Sequence, residues 1–307
     1  MSLVLALTLV ACNTAAGPQE PDGGSDTEWT PPSCPAVSAP AAAGALALAD
    51  IDELSGLAAS GRREDLFWAH NDSGDSARFF ALDGAGANLG TWALTGVTAV
   101  DWEDVARRGP PEASYLYFAD MGDNNLVRHS ITLWRVPEPE APAGVVTDGQ
   151  ITPTGFVLTY PDGPHNAETL LADPLRDELF IVTKTASGAS QVFRTPTLEA
   201  TLVETLEEVA QLHFGDGALT GSPLATGGDV SPDGRWVVIV TYTSAFAWPR
   251  DPSQPLYTAF ANPPCELPRA SEPQGESVAF DVGNGALRLS TISEGDGSVI
   301  YRSTFAP

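Results

Sequence analysis

The feature that most constrains this fold is a pattern that recurs five times between residue 45 and the end of the chain. Each copy opens on an acidic residue followed by a short apolar segment. These opening acids are Glu53, Glu103, Glu168, Asp229 and Glu276. A turn rich in Gly, Pro, Asp or Arg follows, and then a run of aromatic and β-branched residues such as Trp236-Val-Val-Ile-Val-Thr-Tyr. Such runs separated by turn signals are typical of β-hairpins, so the pattern predicts an all-β chain built from repeats.

The interval between the copies indicates which all-β architecture the repeats form. The opening acids lie roughly 50 to 65 residues apart, which is the length of one four-stranded blade with variable loops. We therefore predict a β-propeller over residues 45–307, with five blades counted from the five repeats. The last repeat stops after its third strand, so a segment near Ala45 is expected to supply the missing outer strand and close the ring. The alternatives are a sixth blade hidden around 140–160 or 200–226 and an open sandwich.

The start of the chain has the pattern of an export signal. A short apolar run ends in Leu-Val-Ala-Cys12, which resembles the bacterial lipobox, and the run is too short to span a bilayer as a helix. Residues 1–12 are predicted to be a lipoprotein signal peptide ending at the lipidated Cys12, and Asn13 favours transfer to the outer membrane. No basic residue precedes the run, and a plain secretory signal is the alternative. Residues 13–44, rich in Pro, Gly, Ala, Ser and Thr, are predicted to be a disordered tether.

Charge and cysteine content restrict the partners and the compartment. The net charge of −25, from 15 basic and 40 acidic residues, argues against nucleic acid as a partner. We expect a monomer in the cell envelope that meets the membrane only through its lipid anchor. Beyond Cys12 the chain has two cysteines, Cys34 and Cys265, each in a Pro-rich segment. In an oxidising compartment such a pair predicts a disulfide, with two unpaired thiols as the alternative.

The repeat also predicts where chemistry lies. In a blade the first strand starts, and the second strand ends, on the same face, so both sets of polar residues are expected at one mouth of the central channel. Carboxylates gathered there raise one another's pKa or recruit a cation, and oxygen-only ligands favour Ca²⁺. The predicted metal ligands are Glu53, Asp72, Glu103, Asp120, Glu168, Asp229 and Glu276. The predicted ligand-binding residues are His70, Asn71, Asp72, Asp123, Asn124, Lys184 and Tyr242.

A purely structural interpretation of these residues stays open. Asp, Asn and Gly are common in turns because they tolerate unusual backbone angles. Acids at the start of inner strands could serve only to accept backbone N–H groups and hold the blades together. Lys184, the only lysine of the chain, could bind an anion or neutralise the acids. The sequence has no HExxH, CxxC or GxSxG motif, so zinc sites and serine-hydrolase chemistry have no support.

Six segments within residues 50–300 together carry a family resemblance. They are Ser55-Gly-Leu-Ala, Trp68-Ala-His-Asn-Asp-Ser-Gly-Asp75, Asp101-Trp-Glu-Asp-Val-Ala, Asp120-Met-Gly-Asp-Asn, Arg135-Val-Pro-Glu-Pro and Glu168-Thr-Leu. The chain resembles a group of uncharacterised secreted bacterial propeller lipoproteins, similar in style to phytase-like and esterase-like propellers. In β-propeller phytases, calcium ions at the channel mouth bind phosphate. The resemblance therefore implies metal roles for Glu53, Asp72, Glu103, Asp120, Asp123 and Glu168. The chain departs from a phytase because its predicted mouth offers only one basic residue, Lys184.

Two functions follow from these patterns. The first is a non-catalytic envelope lipoprotein that binds a ligand or partner, with Ca²⁺, at the acidic mouth. The alternative is a metal-dependent ester or phosphoester hydrolase, with Glu103, Asp120 and His70 as the candidate catalytic residues. The acid-rich, base-poor mouth favours the first function, and the sequence leaves open whether the protein is an enzyme.

Overall fold

The computed structural model describes residues 29–215, 221–295 and 297–306. The chain divides into two units, residues 1–30 and 31–307, and the second unit contains the β-strands. They are β1 (Ala36–Val37), β2 (Ala41–Ala45), β3 (Leu54–Ala59), β4 (Leu66–Asn71), β5 (Arg78–Asp83), β6 (Asn88–Leu94), β7 (Trp102–Arg108), β8 (Tyr115–Asp120), β9 (Ile131–Pro137), β10 (Gly149–Ile151), β11 (Thr154–Thr159), β12 (Ala167–Ala172), β13 (Leu179–Thr183), β14 (Ala189–Arg194), β15 (Val203–Thr205), β16 (Glu207–His213), β17 (Ala225–Val230), β18 (Trp236–Thr241), β19 (Ala245–Pro249), β20 (Cys265–Leu267), β21 (Gly275–Gly283), β22 (Ala286–Ser293) and β23 (Val299–Ala306). The helical elements of the described residues are two 3₁₀ segments, Pro111–Ala113 and Leu256–Ala261.

These strands form five sheets, which we number as blades one to five. From the inside outwards the blades contain β3–β6, then β7, β8, β9 and β11, then β12, β13, β14 and β16, then β17–β20, and finally β21–β23. Neighbouring inner strands lie side by side around the ring, and β21 lies against β3. The chain is therefore a five-bladed β-propeller, as predicted. The stretches that could have hidden a sixth blade instead supply the outer strands β11 and β16 and the added edge strands β10 and β15.

The outer edge of blade five is completed by residues from before blade one. β2 pairs antiparallel with β23, with Ala41 opposite Arg302, and β1 pairs with the end of the same strand, with Ala36 opposite Ala306. The predicted closing strand is confirmed. The predicted end of the tether at residue 44 is corrected, because the unpaired N–H and C=O groups of the β23 edge draw residues 36–45 into the sheet. Cys12 and tether residues 13–28 lie outside the described residues, so the signal peptide and the anchor stay predictions.

A disulfide joins the closing segment to the neighbouring blade. Cys34 and Cys265 are bonded, with their Cα atoms 5.5 Å apart and a sequence separation of 231 residues. Cys34 stands just before β1, and Cys265 begins β20, the outer strand of blade four. Of the two alternatives left by the sequence, the structure contains the bonded pair.

The hydrophobic core lies between the blades. Five clusters of buried apolar side chains each fill the space between two neighbouring blades. The second strands contribute most strongly because they are apolar on both faces, and every residue of β18 is buried. A fully buried ion pair between Arg250 and Asp173 also links blade four to blade three. Among the described residues, no helix has the length and apolar character needed to cross a membrane.

One backbone irregularity recurs in all five blades. At the start of each inner strand the pairing with the second strand shifts by one residue. A β-bulge of this kind leaves one residue unpaired and re-aims its side chain. The unpaired residues form a set that we call the bulge ring: Ser55, Glu103, Glu168, Thr226 and Glu276. The repeat therefore places one side chain from each blade at an equivalent position of the channel mouth.

Candidate cation site at the channel mouth

A second set of equivalent positions faces the bulge ring. Each second strand ends opposite the start of its inner strand, and the next residue turns over the mouth. We call this set the strand-end ring: Asp72, Met121, Lys184, Tyr242 and Glu294. The prediction that residues after the second strands join the inner-strand acids at one mouth is thus met by the topology.

Two members of the bulge ring carry hydroxyl groups that bond to the next blade, and the other three are glutamates. Ser55 Oγ donates to the carbonyl oxygen of Glu103 at 2.6 Å, and Thr226 Oγ1 donates to that of Gly275 at 2.8 Å. These two hydroxyl groups each tie an inner strand to the next blade. The three remaining members, Glu103, Glu168 and Glu276, are only 3%, 5% and 7% exposed. The bulge ring therefore contains three buried glutamates rather than the five inner-strand acids predicted.

Three carboxylates converge tightly on one side of the mouth. Asp72, Asp101 and Glu103 each bring one oxygen to within 4.8 Å of the others, and we call them the acidic triad. Asp72 is positioned by its backbone N–H, which donates to the carbonyl of Glu53 at 2.8 Å. Asp101 is positioned by its carbonyl, which accepts the backbone N–H groups of residues 121 and 122 at 3.0 and 3.1 Å. Backbone contacts thus fix the loops that carry the triad.

The backbone of Gly122 lies directly against the triad. A Cβ atom at this position would meet Glu103 Oε1 at 2.0 Å and Asp101 Oδ2 at 2.6 Å. Any side chain here would push the two carboxylates apart, so close approach of the loop requires glycine. The Asp120-Met-Gly segment, which the sequence suggested as a source of metal ligands, contributes a glycine that shapes the site.

Burial and mutual repulsion raise the pKa values of the triad. The pKa of Glu103 lies well above its ordinary value, first because the group is buried and then because Glu168 and Asp72 are close. Burial is also the main cause of the raised pKa values of Asp72 and Asp101. Within the described part of the chain, no hydrogen bond or ion pair reaches the Glu103 carboxylate. A buried carboxylate without a partner is costly, and a bound cation would supply the missing charge.

Lys184 neutralises another part of the mouth. It forms a close ion pair with Glu168, and its Nζ donates to Tyr242 Oη at 2.8 Å. Burial raises the pKa of Glu168 to about 7 even though Lys184 opposes the shift. Burial also raises the pKa of Glu276 to about 8, assisted by repulsion from Glu168 and Glu294. Of the two roles predicted for Lys184, the contacts match neutralisation of the acids.

The structure corrects the placement of His70. Its side chain is fully buried, with its ring centroid 5.5 Å from that of Trp102 and 5.8 Å from that of Phe118. Its Nδ1 lies 2.8 Å from the carbonyl oxygen of Asn71. Burial lowers the pKa of His70 to about 4, so the ring is neutral at pH 7. His70 packs beneath the mouth and is not placed to touch a ligand or act as a catalyst.

Asp120 and Asp229, both predicted metal ligands, bond to the protein itself. The Asp120 carboxylate accepts backbone N–H groups of residues 100 and 101 at 3.2 and 3.1 Å and pairs with Arg128 at 2.8 Å. Asp229 lies three residues beyond the bulge in β17 and accepts the backbone N–H of residue 230 and that of Phe280 in blade five, both at 2.7 Å. Asp229 therefore joins two blades inside the channel, which matches the structural interpretation left open above.

The remaining predicted residues shape the loops around the mouth. The Asp123 carboxylate accepts backbone N–H groups of residues 127 and 128 at 2.9 and 2.7 Å. Asn124 accepts a hydrogen bond from Asn166 at 3.2 Å, and the Asn71 amide donates to the backbone of residue 50 at 2.7 Å. The Glu53 side chain is exposed at the rim. None of these four predicted residues belongs to the acidic triad.

Two acids of the mouth were missing from the predicted metal ligands and ligand-binding residues. Asp101 precedes the bulge in β7 by two residues, which is the position that Glu53 occupies in blade one. Glu294 belongs to the strand-end ring, and burial raises its pKa, with Glu53 adding repulsion. Asp101 stands two residues before Glu103 in Asp101-Trp-Glu-Asp, so an acid close in sequence to a predicted ligand was visible.

Comparisons with known proteins add little to this geometry. No family model matches the sequence, and no curated protein has a similar sequence. Among solved structures, the chain is similar to the crystal structure of the major Malassezia sympodialis allergen Mala s 1. The two share 10% sequence identity over 86% of this chain and 95% of that chain, with a TM-score of 0.49. Similarity at this level carries no functional argument, and the assignment as a β-propeller rests on the sheet topology.

Proposed function

We propose that this protein is a cell-envelope lipoprotein whose propeller binds a ligand through a Ca²⁺ ion held by the acidic triad. The observation that carries the proposal is Glu103, a buried carboxylate that is aimed at two others and has no partner within the described residues. The location rests on the lipobox-like sequence at Cys12, with Asn13 favouring the outer membrane. In the same proposal, the domain works as a monomer tethered to the membrane by its lipid.

The triad fits Ca²⁺ better than other common metals. All its donors are carboxylate oxygens, whereas zinc sites are built from sulfur and nitrogen with some carboxylates. Ca²⁺ takes about six to eight oxygen ligands in flexible geometry. Three carboxylates leave room in that shell even when some are bidentate, and oxygen atoms of water or a ligand would fill it. The ion would thus connect the protein to its ligand.

The surrounding charge favours a ligand with neutral oxygen atoms. Three ionised carboxylates exceed the charge of one Ca²⁺, and the one lysine of the chain is already paired with Glu168. Glu276 and Glu294 add further acid to the same mouth. A polyanion such as a phosphate ester would meet net repulsion there. Hydroxyl or carbonyl groups can complete a Ca²⁺ shell without that penalty.

Calcium titration of the full chain tests the proposal. We expect saturable binding by calorimetry and a rise in thermal stability that a chelator reverses. Glu103→Gln and Asp101→Asn should each weaken binding at least tenfold, while the exposed Glu112→Gln in the 3₁₀ segment serves as the matched control. Binding should tighten as pH rises, because protons compete for carboxylates whose pKa values are raised. Absence of any calcium-dependent change in the wild type between pH 6 and 8 would reject the site.

A metal-dependent hydrolase is the second candidate, and one observation favours it. Glu168, with a pKa of about 7, lies beside Lys184 and Tyr242 at the same mouth as the triad. A carboxyl group that titrates near neutrality suits general acid or base catalysis. Esters and phosphoesters would be the substrates, with the triad holding the cation that polarises them.

Turnover measurements separate the two functions. If the protein hydrolyses generic ester or phosphoester substrates, Glu168→Gln should remove activity but keep calcium binding. Glu103→Gln should remove both. A protein that binds Ca²⁺ and hydrolyses none of these substrates is a binding propeller.

A further inference from the structure

The channel has a second opening on the face opposite the acidic triad. Inner strand β3 starts at the triad mouth and ends at Ala59, and Ala59 with the following turn lines a cavity of about 280 Å³. Blades four and five complete its wall. The apolar residues of the lining are Ala59, Leu66, Pro232, Phe280 and Val282. Of these, Pro232 and Val282 are exposed, whereas Leu66 and Phe280 are buried in the core behind the wall. The opening therefore joins a polar turn to an apolar wall.

Unpaired arginines gather at this cavity. All fifteen basic residues occupy described positions, and eleven of them form ion pairs with described acids. The four outside these pairs are Arg62, Arg63, Arg107 and Arg135. Arg135 stacks on two aromatic rings at 5.1 Å, whereas the other three all line the cavity. In so acidic a chain, guanidinium groups left without carboxylates in one cavity point to an external anion.

Arg107 is the one of these three arginines that stands on an inner strand. It stands near the end of β7, is half-buried, and uses Nη1 to donate to the carbonyl of Gly109 at 2.9 Å. Burial raises the pKa of Asp229 to about 7, and the positive charge of Arg107 opposes this shift. The carboxylate oxygens of Asp229 nevertheless accept backbone N–H groups and form no ion pair with Arg107 within the described residues. Arg107 therefore retains N–H groups that can bind a ligand.

The carboxylates in the cavity wall are bonded to other groups. Asp65 and Asp281 both pair with Arg288. Glu64 accepts a backbone N–H from blade five at 3.4 Å. These contacts hold the acids in place and leave Arg107 unneutralised by the wall.

A buried glutamate holds the turn that carries Arg62 and Arg63. Glu138 is 2% exposed, and its carboxylate accepts the Ser60 hydroxyl and the backbone N–H of Gly61. The Ser60 hydroxyl oxygen accepts the backbone N–H groups of Arg62 and Arg63 at 3.1 and 3.2 Å. A Cβ atom on Gly61 would meet the Arg107 guanidinium at 2.7 Å, so this backbone packs on that side chain. The cavity is thereby built before any ligand arrives.

We propose that this second opening binds a small organic carboxylate, with the anionic end on Arg107 and the apolar end against Pro232 and Val282. A guanidinium group offers parallel N–H donors that match the two oxygens of a carboxylate. The apolar wall gains from burial of a hydrocarbon body. Inorganic phosphate would satisfy the guanidinium but not the wall, and a neutral hydrocarbon would satisfy only the wall.

Calorimetry on the full chain with benzoate, acetate and inorganic phosphate tests this site. Benzoate should bind saturably and at least tenfold more tightly than either acetate or phosphate. Arg107→Gln should weaken benzoate binding at least tenfold, and Arg107→Lys should recover part of the loss because the charge returns without the planar fork. Arg135→Gln is the matched control, since Arg135 also has no ion pair with a described acid but lies outside the cavity, and it should leave binding unchanged.

Two results would overturn the proposal. One is absence of saturable benzoate binding at millimolar concentration, or phosphate binding as tightly as benzoate. The other is an equal loss of binding in Arg107→Gln and Arg135→Gln when thermal unfolding shows both variants folded. Glu103→Gln should keep benzoate binding while losing calcium, so failure of this site and failure of the calcium site are distinguishable.

Discussion

Replacing Glu276 with glutamine should stabilise the protein in a strongly pH-dependent manner. In the folded protein, burial and then repulsion from Glu168 raise the pKa of Glu276 from 4.5 to about 8. The folded state therefore keeps the proton up to about pH 8, whereas the unfolded chain releases it near its ordinary value. Because the folded state binds more protons in this window, folding stability falls as pH rises from 4.5 to 8 and levels off above it.

The size of the change in folding stability follows from the shift in the pKa of Glu276. A displacement from 4.5 to about 8, at about 1.4 kcal/mol per pH unit, corresponds to a penalty on the order of 5 kcal/mol above pH 8. Glutamine has nearly the same shape and no proton to lose. Glu276→Gln should thus raise the free energy of unfolding by about 2 to 5 kcal/mol at pH 9, the lower figure allowing for relaxation of neighbouring groups. At pH 5 the gain should be below about 1 kcal/mol, since little of the penalty has developed there.

Urea unfolding at pH 5, 7 and 9 in the presence of a chelator directly measures the gain in the free energy of unfolding of Glu276→Gln. The difference between variant and wild type should grow with pH while the urea dependence stays the same. Glu266→Gln, an exposed change on β20, is the control and should leave stability unchanged at every pH. An equal gain at pH 5 and pH 9, or a loss at pH 9, would refute the electrostatic account of the mouth.

Three further predictions test other contacts. Gly122→Ala should abolish the calcium-dependent rise in thermal stability, because its Cβ would lie 2.0 Å from Glu103 Oε1; retention of the full rise would show that the triad tolerates a wider loop. Asp173→Asn should lower the free energy of unfolding by about 3 to 5 kcal/mol in urea, because it leaves the fully buried Arg250 unpaired, and a loss below about 1 kcal/mol would contradict this. Cys34→Ser should destabilise the oxidised protein by up to about 5 kcal/mol, because the bridge closes a very long loop, and it should make stability insensitive to reducing agent.

Local patterns were sufficient to predict the propeller. Turn residues and β-branched runs mark each hairpin of the repeat, and such signals depend on neighbours in sequence. The incomplete last repeat indicated that an N-terminal segment would close the ring, and β2 does so. The end of the tether was misplaced because Ala41–Ala45 is Ala- and Gly-rich, and its strand depends on the edge of β23 rather than on its own composition.

The candidate site was predicted only in part because strand register was not visible. Aligning the repeats by their acids grouped Asp229 with Glu103, although Thr226 occupies the equivalent bulge position. Register is set by pairing between strands, and a shift of one residue turns a side chain to the other face. The sequence did not indicate that His70 is a core residue. All six residues of β4 are buried, so the strand lacks the alternation of polar and apolar residues that separates core from surface.

The way the ring closes has a consequence for how the chain is made. β1 and β2 are synthesised before blade one, yet their partner β23 is the last strand among the described residues. Ribosomes therefore release the first strands long before any edge exists to receive them, while the hairpins of the early blades can form as they emerge. A chain cut short of β23 would expose open strand edges at both ends of its blade array, and such edges invite pairing with other chains.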